Sequence, residues 1–255
     1  MAQGMIDHLS YPQISTYLTC PLRYKFQYLE QFPPAFTSAA LAFGSAIHEA
    51  VAAFYQTYLE GDVLKPDQML DVYRDVWRQK EDSRFFNGDD EISLLMRAEQ
   101  LLGVFHESFE PSTTVLGVEE FFAVDMENLP PFQGYIDLIE RSLTGQVSVV
   151  DLKTATKKPS KGNIQSNLQL TAYSLGATGL GFDPEDLNLR LDVLVKTNNP
   201  DLVRYETRRS EEHRKRFIKL VQQVWKGIEN EVCFPKQDWH CQQCAFSAPC
   251  ADWKL

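Results

Sequence analysis

The sequence contains no uninterrupted apolar run near the roughly 18 residues that a membrane-spanning helix needs. Its first ten residues carry Asp7 and His8 where a secretory leader would place a charged and then an apolar segment. No membrane association is expected, and the cytoplasm is the expected compartment. Internal repeats and low-complexity tracts are lacking, which excludes solenoids, collagen-like chains and linkers. There is no Gly-x-Ser-x-Gly elbow and no phosphate-binding P-loop, so serine-hydrolase chemistry and ATP-driven work find no support. Cysteine is scarce and odd in number, five in 255 residues, with Cys20 near one end and Cys233, Cys241, Cys244 and Cys250 crowded at the other. That distribution fits a metal centre under reducing conditions better than a secreted disulfide framework.

What remains is an ordinary folded chain. Hydrophobic residues make up 44% and charged residues 24%, enough to bury a sizeable core without staples. The net charge of −10 argues against a surface that coats nucleic acid over its whole extent. Two stretches depart from this balance: four lysines against one aspartate over Asp151–Lys161, and seven lysines and arginines against three glutamates over Arg204–Lys219. An acidic body with two basic stretches suits contact with a polyanion at one place, although solvated basic faces produce the same pattern.

The chain divides into three zones, 1–110, 111–231 and 232–255. The first reads helical. Ser10-Tyr11-Pro12 opens a helix expected to run to Leu29 before Pro33-Pro34, a second spans Leu41 to Glu60, and two more follow at Pro66–Lys80 and Glu91–Phe109, with a mobile loop at Ser83–Asp90. In the second zone, Val115–Asp125, Gln133–Arg141 and Gln146–Lys153 read as an antiparallel meander, followed by a helix over Asn163–Leu180, strands at Leu189–Thr197 and Leu202–Thr207, and an amphipathic helix over Ser210–Asn230. The third zone is short and aperiodic. It cannot build a core of its own, so its shape must come from bonds to something else, such as a metal centre.

Two strands place a carboxylate between apolar neighbours, Asp137 in Gly134-Tyr135-Ile136-Asp137-Leu138 and Asp151 in Val149-Val150-Asp151-Leu152-Lys153. A hairpin centred on Thr144 sets these aspartates opposite each other, with Lys153 on the same face as Asp151. Opposed like charges destabilise a sheet, and a bound divalent cation reverses the sign. Two acids, a lysine and a hard metal are the parts that phosphodiester hydrolysis requires. A solvated face with a Lys153 ion pair uses the same residues without chemistry. His48, one position past Ile47, lies at the edge of the buried stripe of its helix and can point toward a site. Gln169 and Tyr173, four apart, share a helix face and can reach a substrate backbone or the lysine. Glu119 and Glu120, ahead of Phe121-Phe122, receive little weight as an accessory acid.

Taken together, Gly-Tyr-Ile-Asp137, Asp151-Leu152-Lys153, Gln169-Leu170-Thr171-Ala172-Tyr173 and Gly44-Ser45-Ala46-Ile47-His48 resemble the PD-(D/E)xK nuclease superfamily and its RecB-like branch. Cys20 with Cys241-x2-Cys244-x5-Cys250 is similar to the iron-sulfur clasp of AddB-like and CRISPR-associated RecB-like exonucleases. The resemblance implies an α/β, restriction-endonuclease-like mixed sheet flanked by helices, with a [4Fe-4S] cluster on Cys20, Cys241, Cys244 and Cys250 joining the two ends. A Cys₄ zinc site is the alternative, and Cys233 matches no motif position. It further implies a DNA exonuclease in which His48, Asp137, Asp151 and the Leu152 carbonyl hold Mg²⁺ or Mn²⁺. Lys153 would assist catalysis, Gln169 and Tyr173 would position the strand, and Lys157, Lys158 and Lys161 would contact phosphates. Single-stranded DNA or DNA with free ends is the implied substrate, and helicase or CRISPR-adaptation proteins are the implied partners. A non-catalytic DNA-binding or scaffold subunit of a larger complex is the rival reading.

Overall fold

The computed structural model describes residues 6–80, 83–86, 88–111 and 113–253. Ser10 caps α1 (Tyr11–Thr19), with Pro12 in the first turn. The single helix expected over residues 11–29 breaks at Cys20, whose backbone is extended (φ −158°, ψ 107°) ahead of Pro21. A residue before proline is pushed out of the helical region, and here that leaves Cys20 at a corner. The chain restarts as α2 (Pro21–Tyr24) and continues through a wide turn over Lys25–Leu29.

β1 (Thr37–Ser38) leads into α3 (Ala39–Leu59), capped by the Ser38 hydroxyl and buried along Ala42, Phe43, Ala46, Ile47 and Ala50. After α4 (Pro66–Arg78), β2 (Ser83–Arg84) pairs in parallel with β1, so the start of the loop expected to be mobile is held in a ladder. Asn87, in that same loop, lies outside the described residues. Asp90 then caps α5 (Glu91–Glu107).

The meander is present as β3 (Thr114–Val124), β4 (Phe132–Arg141) and β5 (Val147–Ala155). The helix expected over residues 163–180 is two: α6 (Lys161–Gln165), then α7 (Leu168–Gly179), whose first turn is capped by the Asn167 side chain. β6 (Leu187–Val195), β7 (Asp201–Thr207) and α8 (Glu211–Glu229) follow, then a 3₁₀ turn at Trp239–Gln243 and α9 (Ser247–Ala251). Strand order is β3-β4-β5-β6-β7, antiparallel except for β5 and β6, whose parallel pairing needs the α6–α7 crossover.

This mixed sheet is covered on both faces. Leu9, Ile14 and residues of α7 and α8 build one core against Val149, Leu189, Leu191 and Val193. α3, α4 and α5 build the other against Leu138, Val150 and Leu152. Among the described residues no helix is long and apolar enough to cross a membrane.

The α7 face fits closely around Phe122. A methyl group on Gly176 would stand 2.6 Å from its ring, and one on Gly134 would stand 2.9 Å away. Gly176→Ala is therefore expected to destabilise the protein by roughly 1–3 kcal/mol through overpacking, despite alanine's higher helix propensity. Gly103 in α5, where an added methyl meets nothing within 4 Å, has the opposite expectation. There alanine should stabilise by up to about 1 kcal/mol. Chemical denaturation midpoints of the two variants check both signs.

Candidate active site

The sheet opens where the candidate site lies. β4 and β5 pair from Arg141–Val147 to Leu138–Val150, the register expected of a hairpin about Thr144. One step further would set Asp137 against Asp151, and there the ladder stops. Leu152 N–H instead donates to Asp137 Oδ2 at 2.8 Å. On the other flank β3 and β4 pair at Val118–Leu138 and Glu120–Ile136 but skip Glu119–Asp137, and Glu119 has φ +49°. The left-handed region is rare for a residue other than glycine. Side-chain alternation slips at the same point: Val118 and Leu138 pack on the α3 side, whereas Phe122 and Ile136, an even number of residues away, pack on the α7 side. Such local distortions re-aim side chains and concentrate at functional sites.

The freed side chains converge from both faces. From α3, His48 Nδ1 lies 3.5 Å from Asp137 Oδ2, and candidate ligand atoms of His48, Glu119 and Asp137 all lie within 4.8 Å of one another. From α7, the Tyr173 hydroxyl donates to Asp137 Oδ1 at 2.7 Å, and Gln169 Nε2 donates to the Tyr173 oxygen at 3.2 Å. Asp151 is fully buried. Its Oδ1 accepts from Lys153 Nζ at 2.8 Å, while Oδ2 has no hydrogen-bond partner among the described residues.

Burial pushes the Glu119 carboxyl up to about 7, with Asp137 and Glu49 adding to it. Burial also pushes Asp151 up to about 7, with Lys153 pulling it down and Asp137 raising it further. Burial lowers the His48 imidazole against the pull of Asp137, favouring the neutral ring that serves as a metal ligand. Burial disfavours the Lys153 ammonium too, yet Asp151 and Asp137 together hold it above its ordinary value. Carboxylates crowded in this way are costly until a cation joins them. Oxygen donors with one imidazole, and an unpartnered carboxylate oxygen beside them, fit a hard divalent ion such as Mg²⁺ or Mn²⁺.

His48, Asp137, Asp151, Leu152, Lys153, Gln169 and Tyr173 are thus brought to one place, with two differences from expectation. Asp151 is turned to Lys153 and stands outside the three-residue ligand group, where Glu119 takes a place. Of the two partners expected for Gln169 and Tyr173, a substrate backbone or the lysine, the lysine is not the one met: Tyr173 bonds Asp137 and Gln169 bonds Tyr173. The Glu119-Glu120 pair was the sequence's one signal for this acid; its backbone conformation has no signature there. Of the basic residues, Lys158 pairs with Asp201 at 2.7 Å. Much of the second basic stretch is answered internally, by Arg214–Glu185, Lys215–Glu211 and Arg216–Glu212 pairs.

Apart from this site, Cys20, Cys241, Cys244 and Cys250 line one cavity of about 410 Å³, flanked by Phe26 and Phe246. None of the four is in a disulfide, nor is Cys233, which lies outside the cavity lining. Burial raises the Cys250 thiol, and Cys20, Cys244 and Cys241 each push it further, a measure of how closely the four are grouped. The C-terminal segment has no buried residue in its 3₁₀ turn or in α9. Backbone bonds from Leu22 N–H to the Phe234 carbonyl and from Ala35 N–H to the Ala245 carbonyl, both 3.1 Å, tie it to the N-terminal region.

The family model of the PD-(D/E)XK nuclease superfamily matches residues 8–251, and the chain belongs to that superfamily. No curated protein matches the sequence at a significant level. Among solved structures it is similar to that of a candidate exonuclease from Eubacterium rectale, at 13% identity and a TM-score of 0.58, covering 98% of this chain and 89% of that one. It also aligns with SSO0001, at 14% identity and a TM-score of 0.48, over 100% of this chain and 90% of that one. The first likeness supports the fold.

The geometry makes a graded prediction for metal binding in the absence of nucleic acid. Asp137→Asn and Glu119→Gln should abolish Mn²⁺ uptake. Tyr173→Phe, which removes the hydrogen bond orienting Asp137 together with the one accepted from Gln169, should weaken it about 10–100-fold. Titration calorimetry on folded variants checks the order.

Proposed function

We propose that the protein is a RecB-like, divalent-metal-dependent deoxyribonuclease that degrades DNA strands from a free end, in DNA repair, recombination or CRISPR adaptation. A helicase or adaptation proteins would present the strand to it. The observation that carries this reading is the convergence on Asp137 of His48 from α3, Tyr173 from α7 and the Leu152 N–H from β5, beside Glu119.

His48, Glu119 and Asp137 would hold Mg²⁺ or Mn²⁺, with the free oxygen of Asp151 and the Leu152 carbonyl completing the set. When bound, the ion supplies Lewis-acid activation of water and neutralises phosphate charge. Lys153, fixed on Asp151, keeps a positive charge beside the scissile phosphate. Tyr173 acts by orienting Asp137 and Gln169 by orienting Tyr173, so both are positioning residues. Lys157, Lys158 and Lys161 continue from β5 and would neutralise phosphates along the strand.

Four thiols around one cavity support a [4Fe-4S] clasp on Cys20, Cys241, Cys244 and Cys250 that anchors residues 232–253 to the α1–α2 corner. Its role would be structural.

The test is anaerobic purification with iron and sulfide analysis, then assays on end-labelled DNA with Mn²⁺, Mg²⁺ or EDTA. Metal-dependent digestion is expected, lowered at least about a hundredfold by Lys153→Ala. Iron and acid-labile sulfide should be present in the native protein and lost in Cys20→Ser. A folded, cluster-loaded protein that cleaves nothing would contradict the enzyme reading, and zinc in place of iron would contradict the cluster.

A further inference from the structure

The cleft that holds Glu119, Asp137 and Lys153 has a wall that the hydrolytic chemistry does not use. Tyr11, Phe121 and Tyr135 line the same space, about 580 Å³ in volume. Phe121 and Tyr135 are 46% and 57% exposed, are cross-strand partners on β3 and β4, and hold their ring centroids 5.3 Å apart at 56°. Neither lies under a helix, whereas their neighbour Phe122 is buried beneath α7. Tyr11 and Lys153 both face this cleft.

Phe121 lies two residues from Glu119 and Tyr135 two residues from Asp137 on their strands, and all four line the one cleft. A phosphate at the carboxylates would therefore place a nearby base against these rings. Stacking needs a nucleobase with a free π-face, which an unpaired strand offers and a duplex interior does not. The cleft volume is in the range of a small-molecule site, room enough for one or two nucleotides.

We propose that Phe121 and Tyr135 form a base-stacking platform that makes unpaired DNA the substrate, seating a base one or two nucleotides from the phosphate to be cut. This rests on the nuclease reading above. The competing role for the pair is to stabilise the β3–β4 hairpin, as cross-strand aromatic pairs do.

The test compares binding, in EDTA, of a thymidine 20-mer and an abasic strand of equal length and charge, by the native full-length protein and by the double variant Phe121→Leu, Tyr135→Leu. The native protein should bind the thymidine strand at least tenfold more tightly than the abasic one. The double variant should bind both with the native protein's abasic affinity and keep the native melting temperature. In Phe121→Trp, the added indole fluorescence should be quenched by the thymidine strand and not by the abasic one, a readout that holds even if the leucine variant fails to fold.

No preference for bases in the native protein, a preference that survives in the leucine variant, or an equal loss on both strands overturns the platform. If Mn²⁺-dependent cleavage of the thymidine strand persists in any of these cases, the nuclease reading stands without it. If the native protein cuts no strand, both fall together.

Discussion

The site depends on one substitution of bonding partners: where a regular sheet would pair Asp137 with Asp151 through their backbones, the Leu152 N–H donates to the Asp137 carboxylate. A ladder continued through that point would press two carboxylates together on one face. Ending it lets β4 and β5 part, and the gap becomes the place where a histidine from one helical layer and a tyrosine from the other reach the same aspartate. The left-handed Glu119 is the counterpart on β3, turning its carboxylate toward the gap at some cost in backbone energy. Asp137 is thus held by both flanking layers and by its neighbouring strand, so its orientation is set before any ligand arrives.

The remaining architecture reinforces that arrangement. Phe122 is clasped between Gly134 and Gly176, which fixes α7 against β3 and β4 and so fixes the height of Tyr173. Arg209, nearly fully buried, donates to the carbonyls of Ile164 and Asn167 and to the Thr171 hydroxyl, fastening the start of α7 on the opposite side. On the other face α3 is apolar along most of its length, and His48 comes at the edge of that buried stripe. The C-terminal segment buries one apolar side chain among its described residues, Phe246, which packs with Cys20, Leu22 and Phe26 beside the cavity that the four cysteines line.

Much of this was legible in the residues. The hairpin register about Thr144 and the alternation that puts Lys153 beside Asp151 follow from spacing and chemical type, and the grouping of Cys20 with three cysteines more than two hundred positions away follows from the resemblance to iron-sulfur-clasped nucleases. What was not legible came from tertiary forces. The helix break at Cys20 follows from Pro21, but the continuous apolar periodicity around it masked the break. Glu119 earned little weight because a positive φ has no signature in an ordinary β-strand sequence. Gln169 and Tyr173 were correctly placed on one face, yet which group they would meet was decided by the parting of β4 from β5.

The most direct test of the central claim is the location of a metal. Crystals soaked in Mn²⁺ and measured for anomalous scattering should show a peak among His48, Glu119 and Asp137, within ligand distance of Asp137 Oδ2 and on the Asp151 side of that carboxylate. A peak elsewhere, with Asp137 still bound only to Leu152 and Tyr173, would contradict the account that the opened sheet exists to hold an ion.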